Sequence, residues 1–253
     1  MGKVFAITNQ KGGVGKTTTA VNLGAYLAVL GKKVLVLDND PQGNATSGLG
    51  LKKNEIKKCI YDVLISEVSI EEVILPTQIT NLEVVPATIR LAGAEAELVG
   101  MMARDQRLRR SIEPIRDKYD YILIDCPPSL GNLTLNALAA ADAVIVPIQC
   151  EYYALEGLSQ LMKTLQLVQK YSNPTLEVEG VVLTMYDYRT NLSQQVAEEV
   201  RNYFKDRVYN SVIPRNIRLS EAPSHGLPIN LYDGRSKGAE AYYELAKEVI
   251  ARE

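Results

Sequence analysis

Residues 11–18 read Lys-Gly-Gly-Val-Gly-Lys-Thr-Thr and follow directly on an apolar run at 4–8. Glycines at that spacing let a strand-to-helix turn point its backbone N–H groups inward, and a helix start just beyond adds partial positive charge. Such a loop, with Gly12, Gly13, Val14, Gly15 and Thr18 in its wall, cradles phosphate oxygens. Lys16 then stands where an ammonium bridges β- and γ-phosphates, and the Thr17 hydroxyl where it ligates Mg²⁺. The chemistry this predicts is binding of ATP as its Mg²⁺ complex and hydrolysis by an activated water.

Two carboxylates sit where such chemistry needs them. Asp125 closes the apolar run at 121–124, the position of a Walker B aspartate that holds the Mg²⁺ shell; a helix cap or a buried ion pair is its ordinary alternative. Asp40 follows the strand-like run 34–38 and precedes Pro41, whose fixed φ stiffens the loop and would aim the carboxylate at the γ-phosphate. It is the candidate for orienting or deprotonating the attacking water, the alternative being a plain turn aspartate. The loop departs from the usual G-x-x-x-x-G-K-[ST] pattern, because Gln10 stands at the first glycine and Lys11 opens the loop. That is the deviant Walker A motif, KGGxGK[ST], and Lys16 and Asp40 are the catalytic candidates.

The elements that must hold these residues are legible as alternation. Apolar runs suited to buried parallel strands recur at 4–8, 34–38, 82–86, 121–125, 143–147, 178–184 and 208–214. Helical patterns lie between them, at 16–30 with Gly31 as its stop, and at 154–170 with Leu155, Leu158, Met162, Leu165 and Val168 on one face. Seven strands alternating with helices predict an α/β fold, one doubly wound, mostly parallel sheet with helices on both faces. Ligands of such sheets bind beyond the carboxyl ends of the strands, where the loops after Thr8, Asp38, Asp125, Thr184 and Pro214 should collect. Residues 52–78 carry the weakest pattern and predict short helices over a sheet edge. With no linker or repeat, 1–253 is expected to be a single domain.

Bulk properties exclude more than they name. The 253 residues carry 28 Lys and Arg against 30 Asp and Glu, a net charge of −2, so any hold on nucleic acid must come from a local patch. Three cysteines, Cys59, Cys126 and Cys150, have neither disulfide-framework nor C-x-x-C spacing and predict reduced, buried thiols; His225, the one histidine, anchors no metal cluster or triad. No run of 18 apolar residues and no signal peptide is present, and Ala6 breaks a myristoylation signal at Gly2, so a cytoplasmic protein is expected.

KGGVGKTT at 11–18, LDNDPQGNAT at 37–46, IDCPPSLG at 124–131, QCEYYALEGL at 149–158 and VIPRNIRLSEAPSHG at 212–226 together resemble the ParA/Soj family of bacterial partition ATPases. That family lies in the deviant Walker A group with MinD and the nitrogenase iron protein, and the likeness runs from end to end. It implies that Lys11 reaches across an ATP-dependent homodimer to the partner's phosphates, with Gly12 and Gly13 where the subunits approach, and that Pro214 and Asn216 contact adenine. It also implies that the ATP dimer binds double-stranded DNA without sequence preference, nucleoid-associated, until a ParB-type centromere-binding protein stimulates hydrolysis.

Residues 189–218 hold six basic side chains against three acidic ones, a local +3. Arg189 and Arg218 are the expected DNA-phosphate contacts, Arg215 a possible nucleotide contact, and a solvated helix face the alternative. A MinD-like membrane ATPase would need a basic amphipathic C-terminal helix, but 239–253 holds two basic residues against four acidic ones. An ATP-dependent ligase on the same fold would need a substrate pocket that no motif marks. No segment is long enough for a separate operator-binding domain.

Overall fold

The computed structural model describes residues 2–151 and 154–252, and of the side chains at 154–157 and 159 nothing is described. Tyr152 and Tyr153 of the 149–158 block, and the Leu155 side chain expected on a helix face, therefore lie outside the described residues.

The elements run β1 (Lys3–Ile7), α1 (Lys16–Val29), β2 (Val34–Asp38), α2 (Asn44–Gly48), α3 (Ile60–Ser66), β3 (Leu75–Pro76), β4 (Leu82–Val85) and α4 (Leu91–Glu97). After these come α5 (Arg107–Ile112), β5 (Tyr121–Asp125), α6 (Asn132–Ala140), β6 (Ala143–Gln149), α7 (Ala154–Tyr171), β7 (Glu177–Tyr186), α8 (Asn191–Phe204) and β8 (Val208–Pro214). The chain ends in α9 (Ile217–Glu221), α10 (Ile229–Asp233) and α11 (Lys237–Ala251). Among the described residues the strands form one eight-stranded sheet in the order β3-β4-β2-β5-β1-β6-β7-β8. Every pairing is parallel except β3 with β4.

That is the expected doubly wound sheet, with one strand more than the seven predicted. The extra strand, β3, is two residues long inside the segment 52–78, too short to show alternation, and its Pro76 suits a sheet edge. Around it the segment does form short helices, of which α3 buries Ile60, Val63 and Leu64.

Between the Lys3 that opens β1 and the aspartates that close β2 and β5, the central strands are apolar throughout because both faces are covered. Phe5, Val34, Val36, Tyr121 and Leu123 face α1 and α11, while Val4, Ala6, Leu35, Leu37, Ile122 and Ile124 face α4 to α8. On α7 the expected Leu158, Leu165 and Val168 are buried; Leu161 is buried too, and Met162 only partly. Gly24 matters for α1, since a Cβ there would come within 2.8 Å of Val36 Cγ2; its absence lets the helix lie close on β2. The helix stops where predicted, with Gly31 at φ 87°. Helix α11 turns Ala239, Tyr242, Leu245, Ala246 and Val249 into the core, so its apolar face is spent on folding. Among the described residues no helix is long and apolar enough to cross a membrane. All three cysteines are buried and unpaired by disulfides.

Candidate functional site

The loop after β1 is pinned from three sides. Asn9 Nδ2 donates to the Pro147 carbonyl (2.8 Å) while its Oδ1 accepts the Lys11 N–H (3.0 Å). Thr184, at the end of β7, donates from Oγ1 to the Val14 carbonyl (2.9 Å). Gly13 and Gly15 take φ of 74° and 88°, values that side chains rarely adopt, so glycine is required for the turn into α1. Gly12 and Gly13 are exposed, as two subunits meeting there would need. Lys16 is 6% exposed, and its Nζ donates to the Lys11 carbonyl across the loop (2.9 Å).

Parallel pairing of β2 with β5 sets Asp38 beside Asp125, both fully buried. Asp38 Oδ2 accepts from Thr46 N–H and Oγ1–H, each at 2.7 Å, and Oδ1 accepts the Asp40 N–H at 3.2 Å. The Thr46 hydroxyl also accepts the Ala87 N–H (2.9 Å), tying the loop after β4 to the same carboxylate. Asp40 is nearly buried, and its Oδ1 accepts the Gln42 N–H (2.9 Å).

Asp125 differs, for neither of its oxygens accepts a hydrogen bond of ordinary geometry, although the Thr17 hydroxyl stands close enough to favour its ionised form. A buried, unpartnered carboxylate beside a second one and a threonine hydroxyl is what a hard divalent cation requires, so the residues fit Mg²⁺. Desolvation, then the charge of Asp38, raises the Asp125 pKa well above the usual carboxylate range. Burial lowers the Lys16 pKa, against the pull of Asp125, Cys126 and Asp40.

Desolvation raises the Asp38 pKa to about 6, outweighing its hydrogen bonds to Thr46 and Asp40. A carboxyl with a raised folded-state pKa makes the folded protein hold more protons than the unfolded chain between about pH 4 and pH 6. Its contribution to stability therefore falls as pH rises through that window. In EDTA, unfolding of Asp38→Asn should gain on the wild type from about pH 4 to about pH 6, by up to about 3 kcal/mol, and level off above. The loss of hydrogen bonds adds only a pH-independent offset. A difference that stays flat across that range would place Asp38 at an ordinary pKa.

Two cavities adjoin this cluster. One of about 320 Å³ is lined by Gly13, Lys16, Thr17, Asp40 and Pro128 among others. The other, of about 520 Å³, is lined by Pro214, Arg215, Asn216 and Tyr242. Gly15, Thr18 and Met185 line both, so a cleft leads from Lys16 and Asp40 to the segment after β8. Asn216 caps α9 with its Oδ1, accepting the Arg218 N–H (2.8 Å), which leaves its amide nitrogen for a ligand. Lys11 Nζ lies 4.0 Å from Glu151, which also pairs with Arg215 (3.1 Å) and accepts from Gln149 (2.7 Å).

Lys16, Thr17, Asp40, Pro214 and Asn216 thus line the two adjoining cavities, whereas Lys11 lines neither and Asp125 is fully buried beside Asp38. The two arginines expected to contact DNA are not free cations. Asp187 grips Arg189 in a fork, at 2.9 and 2.8 Å, and Arg218 pairs with Glu221 (2.9 Å) and Asp233 (3.5 Å). The +3 count missed them because Asp187 and Glu221 fall just outside 189–218 and Asp233 lies farther on, in α10. Sequence reasoning also passed over Asp38, Thr46, Glu151, Thr184 and Met185. For Asp38 the signal was present, a polar end on the apolar run VLVL, as at Asp125. His225 ends a 3-10 turn at Ala222–His225, not a loop, and stacks on Tyr232 with ring centres 4.9 Å apart.

Comparison with known proteins agrees with this geometry. A family model described as an AAA domain matches residues 2–178. The sporulation initiation inhibitor protein Soj of Bacillus subtilis is 64% identical over 251 residues, 99% of each chain. The chromosome partitioning protein ParA of Myxococcus xanthus is 56% identical over 253 residues, covering all of this chain and 89% of that one. Among solved structures, cobyrinic acid a,c-diamide synthase from Mycobacterium smegmatis with bound ADP and magnesium superposes with a TM-score of 0.86. It is 39% identical, over 98% of this chain and 93% of that one. With relatives this similar along its whole length, the protein belongs to the Soj/ParA family of chromosome-partitioning ATPases, within the AAA-domain group whose family model it matches.

Proposed function

We propose how the residues of this ATPase divide the work on Mg-ATP. The backbone N–H groups of the loop bind the phosphates, and Lys16 neutralises the β- and γ-phosphates from within the fold. Thr17 and Asp125 would hold Mg²⁺, whose contribution is to offset phosphate charge. Asp40 orients the attacking water and accepts its proton. Pro214 and Asn216 receive the base. Asp38 fixes the Asp40 loop through the Asp40 N–H and both Thr46 bonds.

On this reading 1–253 acts as one unit, cytoplasmic and nucleoid-associated. ATP closes two copies into a homodimer in which Lys11 leaves Glu151 for the partner's phosphates. The dimer holds double-stranded DNA without sequence preference, and a ParB-type protein triggers hydrolysis and release. The observation that carries it is the cleft from Lys16 and Asp40 to Pro214 and Asn216, in a chain 64% identical to Soj. For DNA, Arg189 and Arg218 exchange their carboxylate partners for phosphates; this costs part of the gain and keeps the resting protein off DNA.

The test is titration onto random-sequence duplex DNA with ATP, with ADP and without nucleotide, over a range of salt. Binding with ATP alone is expected, with a log–log salt slope near about −4 for two arginines per subunit in a dimer, moving toward about −2 in Arg189→Ala. Binding indifferent to nucleotide would refute the switch. The likeness to a diamide synthase keeps a ligase in view, and its mark would be turnover stimulated by a metabolite and indifferent to DNA. A membrane-associated ATPase is disfavoured because α11 buries its apolar face.

A further inference from the structure

Five non-glycine residues among those described have positive φ. Glu67 closes a helix, Ala103 opens a helical turn and Asn81 precedes β4, places where the left-handed conformation is usual, while Lys205 closes α8 at φ 51° and ψ −123°, outside that conformation and away from the cleft. Met185, at φ 51°, instead lies inside β7, and it alone of the five lines the nucleotide cleft.

Its neighbours dictate this conformation. On one side Thr184 is held by its hydroxyl to Val14, by its carbonyl to the Cys150 N–H (3.2 Å), and by its register with Gln149 on β6. On the other side Tyr186 pairs with Pro214 on β8, and its carbonyl accepts the Arg215 N–H (3.0 Å). Between those anchors the register with β8 shifts. One residue must absorb the shift, and an unbranched side chain at positive φ carries strain that glycine would not. A glycine would satisfy the backbone, so the presence of a long apolar side chain calls for a use.

The cleft supplies one. With phosphates at Gly15 and Lys16 and the base against Pro214 and Asn216, the sugar between them must cross the wall shared by both cavities. Gly15 contributes no side chain there and Thr18 a short one. We infer that Met185 packs against the ribose of the bound nucleotide and fixes the path from the phosphate loop to the base pocket. A flexible, polarizable thioether suits that irregular, partly apolar surface.

The inference rests on the nucleotide assignment above, and the test separates the two. Dissociation constants of Mg-ADP and of Mg-pyrophosphate, which lacks the sugar, are measured by calorimetry for wild type, Met185→Gly and Met185→Leu, with the nucleotide-free Tm of each. Met185→Gly should bind ADP about tenfold more weakly with pyrophosphate affinity unchanged. Its Tm should stay within about 3 °C of wild type, since released strain offsets lost contacts and greater unfolded-chain freedom. Met185→Leu, which keeps the bulk, should bind ADP within about threefold of wild type. Unchanged ADP affinity in Met185→Gly, an equal loss for pyrophosphate, or a Leu variant as weak as the Gly variant would each overturn the inference. Failure of the wild-type protein to bind Mg-ADP would refute the nucleotide assignment itself.

Discussion

Lys16→Ala should lower ATP turnover by about 10³-fold, the scale on which a single preorganised charge at a transition state acts. Lys16 is the one buried cation among the described residues, and it shares its site with the buried Asp38, Asp40 and Asp125. Burial disfavours its charge, and Asp125 and Asp40 oppose that effect without overcoming it. The site therefore delivers a desolvated ammonium at the phosphates, where its field is weakly screened. Lys16→Arg should not rescue turnover, because a planar guanidinium cannot take the place of a compact ammonium donating to the Lys11 carbonyl. Phosphate release at saturating ATP is the measurement, and turnover within tenfold of wild type would remove Lys16 from the chemistry.

Asp40→Ala should separate binding from hydrolysis. Asp40 lines the cavity that Lys16 and Thr17 also line, and its loop is braced independently of its side chain by Pro41 and by the Asp40 N–H on Asp38. ADP affinity should stay within about threefold while turnover falls by about 10²-fold or more, as for the loss of a general base. Single-turnover hydrolysis beside equilibrium ADP binding reads both numbers. Equal losses in the two would mean that Asp40 shapes the loop, and unchanged turnover that it has no part in the reaction.

What could be read in the sequence follows from how far each signal reaches along the chain. The phosphate loop is local; strand, glycines, lysine and helix start are contiguous, so its geometry was legible in full. Asp125 was found as a carboxylate at the end of an apolar run and Asp40 through the Pro41 that stiffens its loop, while Asp38 meets the rule that found Asp125. It was passed over because its place beside Asp125 depends on β2 pairing with β5, a register that no local pattern encodes. Met185 gave no signal, since its conformation is imposed by neighbours on β6 and β8. The arginines misled for the converse reason, their partners lying just beyond the counted window or, for Asp233, on another helix. Strand β3 escaped because two residues cannot display a period.

The place of β1 in the sheet has a consequence for the protein's birth on the ribosome. Its neighbours in the sheet are β5 and β6, so residues 3–7 wait for 121–125 and 143–149 to be translated before they can pair. The face of α1 behind the phosphate loop waits longer still, for Tyr242 of α11, whose hydroxyl meets that of Thr19 at 3.1 Å. Pairings so distant along the chain fold slowly, because a long loop must close before any contact rewards it. The phosphate loop is thus translated well before the segments that give it its shape. A nascent chain halted before α11 carries every residue of the deviant Walker A motif and still lacks Tyr242, part of the wall of the larger cavity.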